Sequence, residues 1–258
     1  MPSAGCGETR TLRDGRITVQ SGGRDRTYIL KTPADYDNHR PYRLIVAYHW
    51  LNGDGMAVAI GMNRDTDKPY YGLLELSENS AIFVAPDGLD KGWANTNGRD
   101  VAFTDAFLEQ VQNDLCIDTT RIFATGFSYG AGMSYAVACA RPTVFRGGAV
   151  YAAALLSGCQ GGTTPVAYFG AHGINDATLN YSGGENLRNK FVTLNRCVSQ
   201  NPPRAPRGGH ICTSFDGCMP EFPVRWCSYD GGHNPTHKDS GTRESWVPEE
   251  AWNFIAQF

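Results

Sequence analysis

Gly126-Phe127-Ser128-Tyr129-Gly130 sets a serine between two glycines at G-x-S-x-G spacing. In a chain with 30 glycines that pattern arises readily by chance, so its neighbours carry the weight. An apolar run over residues 121–125 (RIFAT) leads into it, and a helical stretch opening Ala131, Gly132, Met133, Ser134 leads out. Strand, sharp turn and helix in that order lift a serine hydroxyl above a sheet, and the turn needs its glycines because a Cβ there would meet the adjoining strand and helix. A serine hydroxyl is a weak nucleophile until a base takes its proton, and the base needs a carboxylate to hold its tautomer. The chemistry to look for is acyl transfer.

On such an elbow the acid and the base follow the serine in the chain, Asp or Glu first and His second. Four histidines follow Ser128: His172, His210, His233 and His237. His172 ends a strand and comes too early, and His210 lies in a stretch rich in Cys and Pro. His233, in Asp230-Gly231-Gly232-His233, stands on a loop between the last strand and the last helix, where a base reaches back over the sheet. His237 shares that loop and is the fallback. Asp176, carried beyond the strand VAYFGA on His172-Gly173-Ile174-Asn175, is the expected acid. Asp216 falls in the Cys-rich stretch, Asp230 is too close to His233 to hold it from the far side, and Glu185 opens a helix. The oxyanion of the tetrahedral intermediate needs backbone donors. These are expected from Tyr129, next to the serine, and from Leu51 in the loop His49-Trp50-Leu51-Asn52-Gly53, with Trp50 as the alternative. His49 is expected to brace that loop. His233 and His237 have a metal-like spacing, but Pro235 between them opposes a helix and no third ligand is evident. No metal and no cofactor are expected.

These groups need a frame. Residues 16–20 and 25–31 alternate as two strands about the turn 21–24, and residues 43–49 (RLIVAYH), 81–85, 121–125, 147–152, 166–171 and 224–229 read as short apolar strands. Helical spacing spans 70–79, 129–140 and 185–195, Asp100 is placed to cap a helix carrying Val101, Phe103, Phe107, Leu108 and Val111, and Pro248 opens a C-terminal helix. Residues 201–217, with three prolines and three glycines, read as an excursion. Strands alternating with helices after an initial hairpin predict an α/β protein with a mostly parallel central sheet and an N-terminal antiparallel hairpin. Without an internal repeat or a linker, residues 1–258 read as one catalytic domain.

The formal net charge is −3 and no basic run occurs, which argues against a nucleic-acid or anionic-membrane partner. No apolar stretch reaches the ~20 residues a membrane span requires. Eight cysteines without a CxxC pair point to disulfides and so to a secreted, extracellular protein. Eight cysteines allow on the order of 100 pairings. Cys197–Cys218 is the expected one, because it would tie off the excursion. Met1-Pro2-Ser3 running straight into Gly5-Cys6-Gly7 reads as a mature chain with an added Met. Asn180-Tyr181-Ser182 is a glycosylation sequon, whereas Asn234-Pro235-Thr236 is excluded by its proline.

The stretches YHWLNGDG, WANTNGRDVAFTDA, RIFATGFSYGAGMSYAVACARP, LLSGC, HGINDATL and DGGHNPT resemble, over nearly the whole chain, the fungal feruloyl esterases of carbohydrate esterase family one. These are related to polyhydroxybutyrate-depolymerase-like and acetylxylan esterases. The resemblance implies an α/β-hydrolase fold and hydrolysis of esters between hydroxycinnamic acids and plant cell-wall sugars. It sets nucleophile, acid and base on Ser128, Asp176 and His233, in agreement with the chain-order reading. Substrates implied are feruloylated arabinoxylan or small hydroxycinnamate esters. Many relatives carry a cellulose-binding module on a linker; this chain stops at its C-terminal helix, so cellulose binding is not expected. Trp50, Trp93 and Tyr129, with Tyr70 and Tyr71 as further candidates, offer aromatic faces to a phenolic acyl group or a sugar ring. Acetylxylan and polyester hydrolysis are the enzymatic alternatives. An inactive α/β-hydrolase acting as a binding module is disfavoured by the complete Ser, Asp and His set.

Overall fold

In the computed structural model, residues 1–61, 68–159 and 162–258 are described. A nine-stranded sheet runs through the molecule. Its strands in chain order are β1 (Gly15–Ser21), β2 (Arg24–Lys31), β3 (Tyr42–Tyr48), β4 (Ala81–Pro86), β5 (Ile117–Phe127), β6 (Gly147–Tyr151), β7 (Ala167–Gly173), β8 (His210–Ser214) and β9 (Val224–Tyr229). They lie side by side as β1-β2-β4-β3-β5-β6-β7-β9-β8. The six strands from β4 to β9 in that order are parallel, while β1, β2 and β8 pair antiparallel at the two margins. The helices are α1 (Gly55–Ile60), α2 (Leu73–Leu76), α3 (Arg99–Asp114), α4 (Tyr129–Ala140), α5 (Tyr181–Leu194) and α6 (Val247–Ala256).

The continuous apolar runs are explained by burial on both faces. Along β3, Leu44, Val46 and Tyr48 enter one core with α3, α4 and α5, and Ile45 and Ala47 enter the other with α1 and α6. The strand order reverses between β3 and β5, so a crevice opens at their C-terminal ends, where ligands of such sheets bind. The serine elbow follows β5 and the expected oxyanion loop follows β3. Both flank that crevice.

Five expectations change. Asp100 does not cap α3: Gly98, in the left-handed region at φ 77°, takes that place. Asp100 is the second residue of the helix, fully buried, where Arg26 donates to it at 2.9 Å and the Asn95 amide at 2.9 Å. Residues 70–79 form no single helix. Tyr70 and Tyr71 adopt φ of 51° and 58°, and α2 spans only Leu73–Leu76. Tertiary bonding overrides helical spacing there, since the Tyr71 hydroxyl donates to the Tyr48 carbonyl at 2.7 Å and Tyr70 packs on Phe83. The excursion over 201–217 contains β8, an edge strand that the Cys212–Cys227 disulfide fastens to β9. The helix expected to begin at 185 begins at Tyr181. The hairpin turn narrows to Gly22 and Gly23, both at positive φ as a two-residue turn requires.

All eight cysteines are paired: Cys6–Cys116, Cys139–Cys159, Cys197–Cys218 and Cys212–Cys227. The expected Cys197–Cys218 bridge is among them. No helix among the described residues is long and apolar enough to cross a membrane.

Candidate active site

Ser128 sits between β5 and α4 at φ 56° and ψ −117°, a backbone conformation an L-residue adopts only under constraint. Its amide donates to the Tyr151 carbonyl at 3.1 Å, and its carbonyl accepts from the Gly132 amide at 3.1 Å, which starts α4. Both glycines of the motif are sterically required. A Cβ on Gly126 would stand 2.5 Å from the Gly130 carbonyl carbon, and one on Gly130 would collide with the Tyr48 carbonyl oxygen. The turn is therefore held tight against β3.

Beyond β3, His49 organises the loop. The Gly88 amide donates to its Nε2 at 2.9 Å, so Nε2 is the acceptor and Nδ1 donates to the Trp50 carbonyl at 2.6 Å. Burial pushes this imidazole below its ordinary range, which keeps it neutral in that bracing role. The Asn52 amide is taken by the Lys91 carbonyl and the Gly53 amide by that of Trp50. Among the loop amides Trp50 and Leu51 are left without an acceptor among the described residues, and the same holds for Tyr129 at the start of α4. A hypothetical Cβ on Gly92 would reach the Tyr129 ring at 2.9 Å and the Leu51 side chain at 3.5 Å, so these two residues are neighbours across the crevice.

Asp176 and His233 come together as the sequence reading expects: His233 Nδ1 lies 2.7 Å from Asp176 Oδ2. Oδ1 accepts from the amides of Thr178 at 2.8 Å and Leu179 at 2.9 Å. Burial raises this carboxyl's affinity for a proton, but hydrogen bonds from His172, His233 and those amides outweigh it and hold Asp176 well below the usual carboxylate range. With Asp176 ionised, Nδ1 of His233 carries the proton and Nε2 is free to accept one. The His233 ring packs on Phe127, the residue before Ser128, with centroids 4.5 Å apart. Its loop is laced to the acid loop, since the Asn175 amide donates to the Gly231 carbonyl at 3.0 Å and the Asn175 side chain to Asp230 Oδ1 at 2.8 Å. His237 stacks on Tyr229 instead, and His210 bonds Asp239. Neither engages Asp176.

The aromatic candidates divide. Trp50 and Tyr129 are partly exposed beside the crevice. Trp93 is a correction: it is fully buried, edge-on to Tyr48, with its indole N–H donating to the His49 carbonyl at 2.7 Å. It supports the loop and presents no face to a ligand. Tyr70 and Tyr71 are likewise core residues. Sequence reasoning missed Leu51, Leu155 and Leu156 as exposed apolar side chains on loops at the C-terminal edge of the sheet; a Leu in a Gly-rich loop gives no signal of its own. Cys212, Cys227 and Glu250 form a close group of metal-type donors, but the two sulfurs are joined to each other.

A mostly parallel sheet with a serine elbow on its central strand and a His–Asp pair on the following loops defines an α/β-hydrolase. An acetyl xylan esterase from Aspergillus awamori matches this fold with a TM-score of 0.65 at 15% identity, over 94% of this chain and 99% of that one. A ferulic acid esterase of carbohydrate esterase family one from Anaeromyces mucronatus, solved with ferulic acid, matches with a TM-score of 0.59 at 15% identity, over 96% and 94%. No family model matches the chain. Sequence relatives are far nearer. Feruloyl esterase C of Emericella nidulans is 47% identical over 255 residues, 98% of this chain and 90% of that protein. Feruloyl esterase D of Neurospora crassa is 43% identical over 263 residues, 100% and 91%. The chain belongs to the feruloyl esterases, a family of carboxylic-ester hydrolases, and the resemblance drawn from its motifs stands.

Proposed function

We propose that the chain is a secreted serine esterase releasing ferulic and related hydroxycinnamic acids from esters with plant cell-wall polysaccharides such as feruloylated arabinoxylan. The observation that carries the substrate class is identity of 43–47% across essentially the whole chain with proteins named feruloyl esterases. Secretion is supported by the four disulfides, which persist in oxidising compartments.

The serine mechanism rests on the 2.7 Å His233–Asp176 bond beside the elbow. Ser128 Oγ attacks the ester carbonyl while His233 Nε2 takes the hydroxyl proton, and Asp176 holds the resulting imidazolium. The tetrahedral oxyanion accepts hydrogen bonds from the amides of Tyr129 and Leu51. Its collapse breaks the bond to the sugar oxygen, which takes the proton from His233 and departs as a hydroxyl, while the feruloyl group stays bonded to Ser128. Water, deprotonated by the same imidazole, hydrolyses that acyl-enzyme and restores the serine.

A cinnamoyl ring buries on the order of 100 Å² more apolar surface than an acetyl group, worth ~2–3 kcal/mol. If half is expressed in the transition state, kcat/KM for methyl ferulate exceeds that for an acetyl ester by ~6–12-fold after correction for intrinsic reactivity. Trp50→Ala, which removes a partly exposed aromatic wall, should narrow that ratio. Efficient deacetylation of xylan with negligible ferulic acid released from feruloylated arabinoxylan would reject the substrate assignment and make this an acetylxylan esterase.

A further inference from the structure

Asp176 has a second histidine on its buried side. His172, near the end of β7, is fully buried, and its Nε2 lies 2.9 Å from the Leu179 carbonyl and 3.3 Å from Asp176 Oδ2. A carbonyl only accepts, so Nε2 carries the proton and shares it between that carbonyl and the carboxylate. Oδ2 is also the oxygen bonded by His233, at 2.7 Å, while Oδ1 takes the Thr178 and Leu179 amides. Four donors thus fix both the position and the plane of one carboxylate.

The His172 ring is itself locked. Tyr181 meets it edge-on with centroids 5.8 Å apart, Trp226 lies 6.2 Å away, and a Cβ at Gly184 would collide with Nδ1. That Nδ1 is buried with no hydrogen-bond partner among the described residues. A side chain serving only to fill this space would be better as Met or Leu, which bury no unpaired nitrogen. What histidine supplies there is the Nε2–H.

We propose that His172 is a positioning residue for the acid, its Nε2–H aiming Asp176 Oδ2 at His233 without any contact to substrate. The proposal rests on the triad reading given above. It also accounts for a carboxylate that stays ionised although buried.

The test compares His172→Met with His172→Gln, each in the native protein and with Asp176→Asn, using methyl ferulate. His172→Met keeps the volume and loses the donor. Its kcat should fall about tenfold or more with KM unchanged, the effect expected of one charged hydrogen bond. Gln brings an amide N–H to the Nε2 position and should restore most of kcat. On Asp176→Asn, His172→Met should add no further loss, because the carboxylate it serves is gone. Undiminished kcat in His172→Met, failure of Gln to rescue, or losses that multiply on Asp176→Asn would overturn the proposal while leaving the triad intact. Near-normal turnover of Asp176→Asn alone would instead sink the triad reading, and this proposal with it. Should His172→Met not fold, ring nitrogen NMR of the native protein decides: the Nε2–H tautomer is expected at His172, and an Nδ1–H tautomer would overturn the assignment.

Discussion

Gly130→Ala places one methyl group where the elbow has no room. Its Cβ would collide with the Tyr48 carbonyl oxygen and stand 2.6 Å from that of His49, both backbone atoms. Moving from 2.6 Å to the 3.4 Å of ordinary contact displaces the first turn of α4 from the His49 loop by at least about 0.8 Å. That displacement separates the Tyr129 amide from the Leu51 amide, the two groups assigned to one oxyanion. A misplacement of about 1 Å costs roughly 100-fold in rate, so kcat/KM for methyl ferulate should fall between about 10- and 100-fold. Overpacking should also destabilise the fold by about 1–3 kcal/mol. Gly148→Ala is the matched control. It is likewise a buried glycine, on β6 rather than α4, but the nearest atom to its added Cβ is the Ala124 carbonyl oxygen at 3.9 Å. Steady-state kinetics and thermal melts on both variants separate a local effect from general damage. Wild-type kcat/KM in Gly130→Ala, or equal losses in the two variants, would refute the steric account of the elbow.

Trp93→Ala should cost about 3–5 kcal/mol of stability and lower activity on ferulate and acetyl esters by the same factor, because the indole is buried under the loop. A loss confined to ferulate, measured in a folded variant, would return Trp93 to the acyl site. His49 is held below its ordinary range by burial, so the unfolded chain binds its proton first as pH falls. Its contribution to stability is complete above about pH 6.5 and is lost as pH drops through that value toward the lowered folded one. Melting temperature against pH should show this acid slope, weaker in His49→Asn; identical slopes would contradict it. Thiol titration of denatured, unreduced protein should find no free thiol, and reduction should lower the melting temperature, each bridge contributing ~2–4 kcal/mol. Several free thiols would reject the disulfide framework.

The elbow was legible in the sequence because its steric demands are local: a strand, two obligatory glycines and a helix of small residues lie within one short stretch. The pairing of Asp176 with His233 was legible from chain order, and their contact at 2.7 Å matches that reading. What escaped depends on contacts distant in sequence. Asp100 looks like a helix cap until Arg26, on β2, is found bonded to it. Trp93 looks like a loop aromatic until the His49 carbonyl is found on its indole. β8 is hidden because an edge strand among prolines and glycines lacks the apolar run that marks a buried one. His172 was set aside as too early in the chain to be the base, and its bond to the acid is visible only once β7 has turned into the Asp176 loop.

The central claim is that Ser128 carries the acyl group. Rapid quenching during turnover of methyl ferulate, followed by peptide mass analysis, measures it directly. A feruloyl adduct should appear on the peptide containing Ser128 and vanish in Ser128→Ala, whose turnover should fall by ~10³-fold or more. An adduct on another residue, or near-normal turnover by folded Ser128→Ala, would contradict the account.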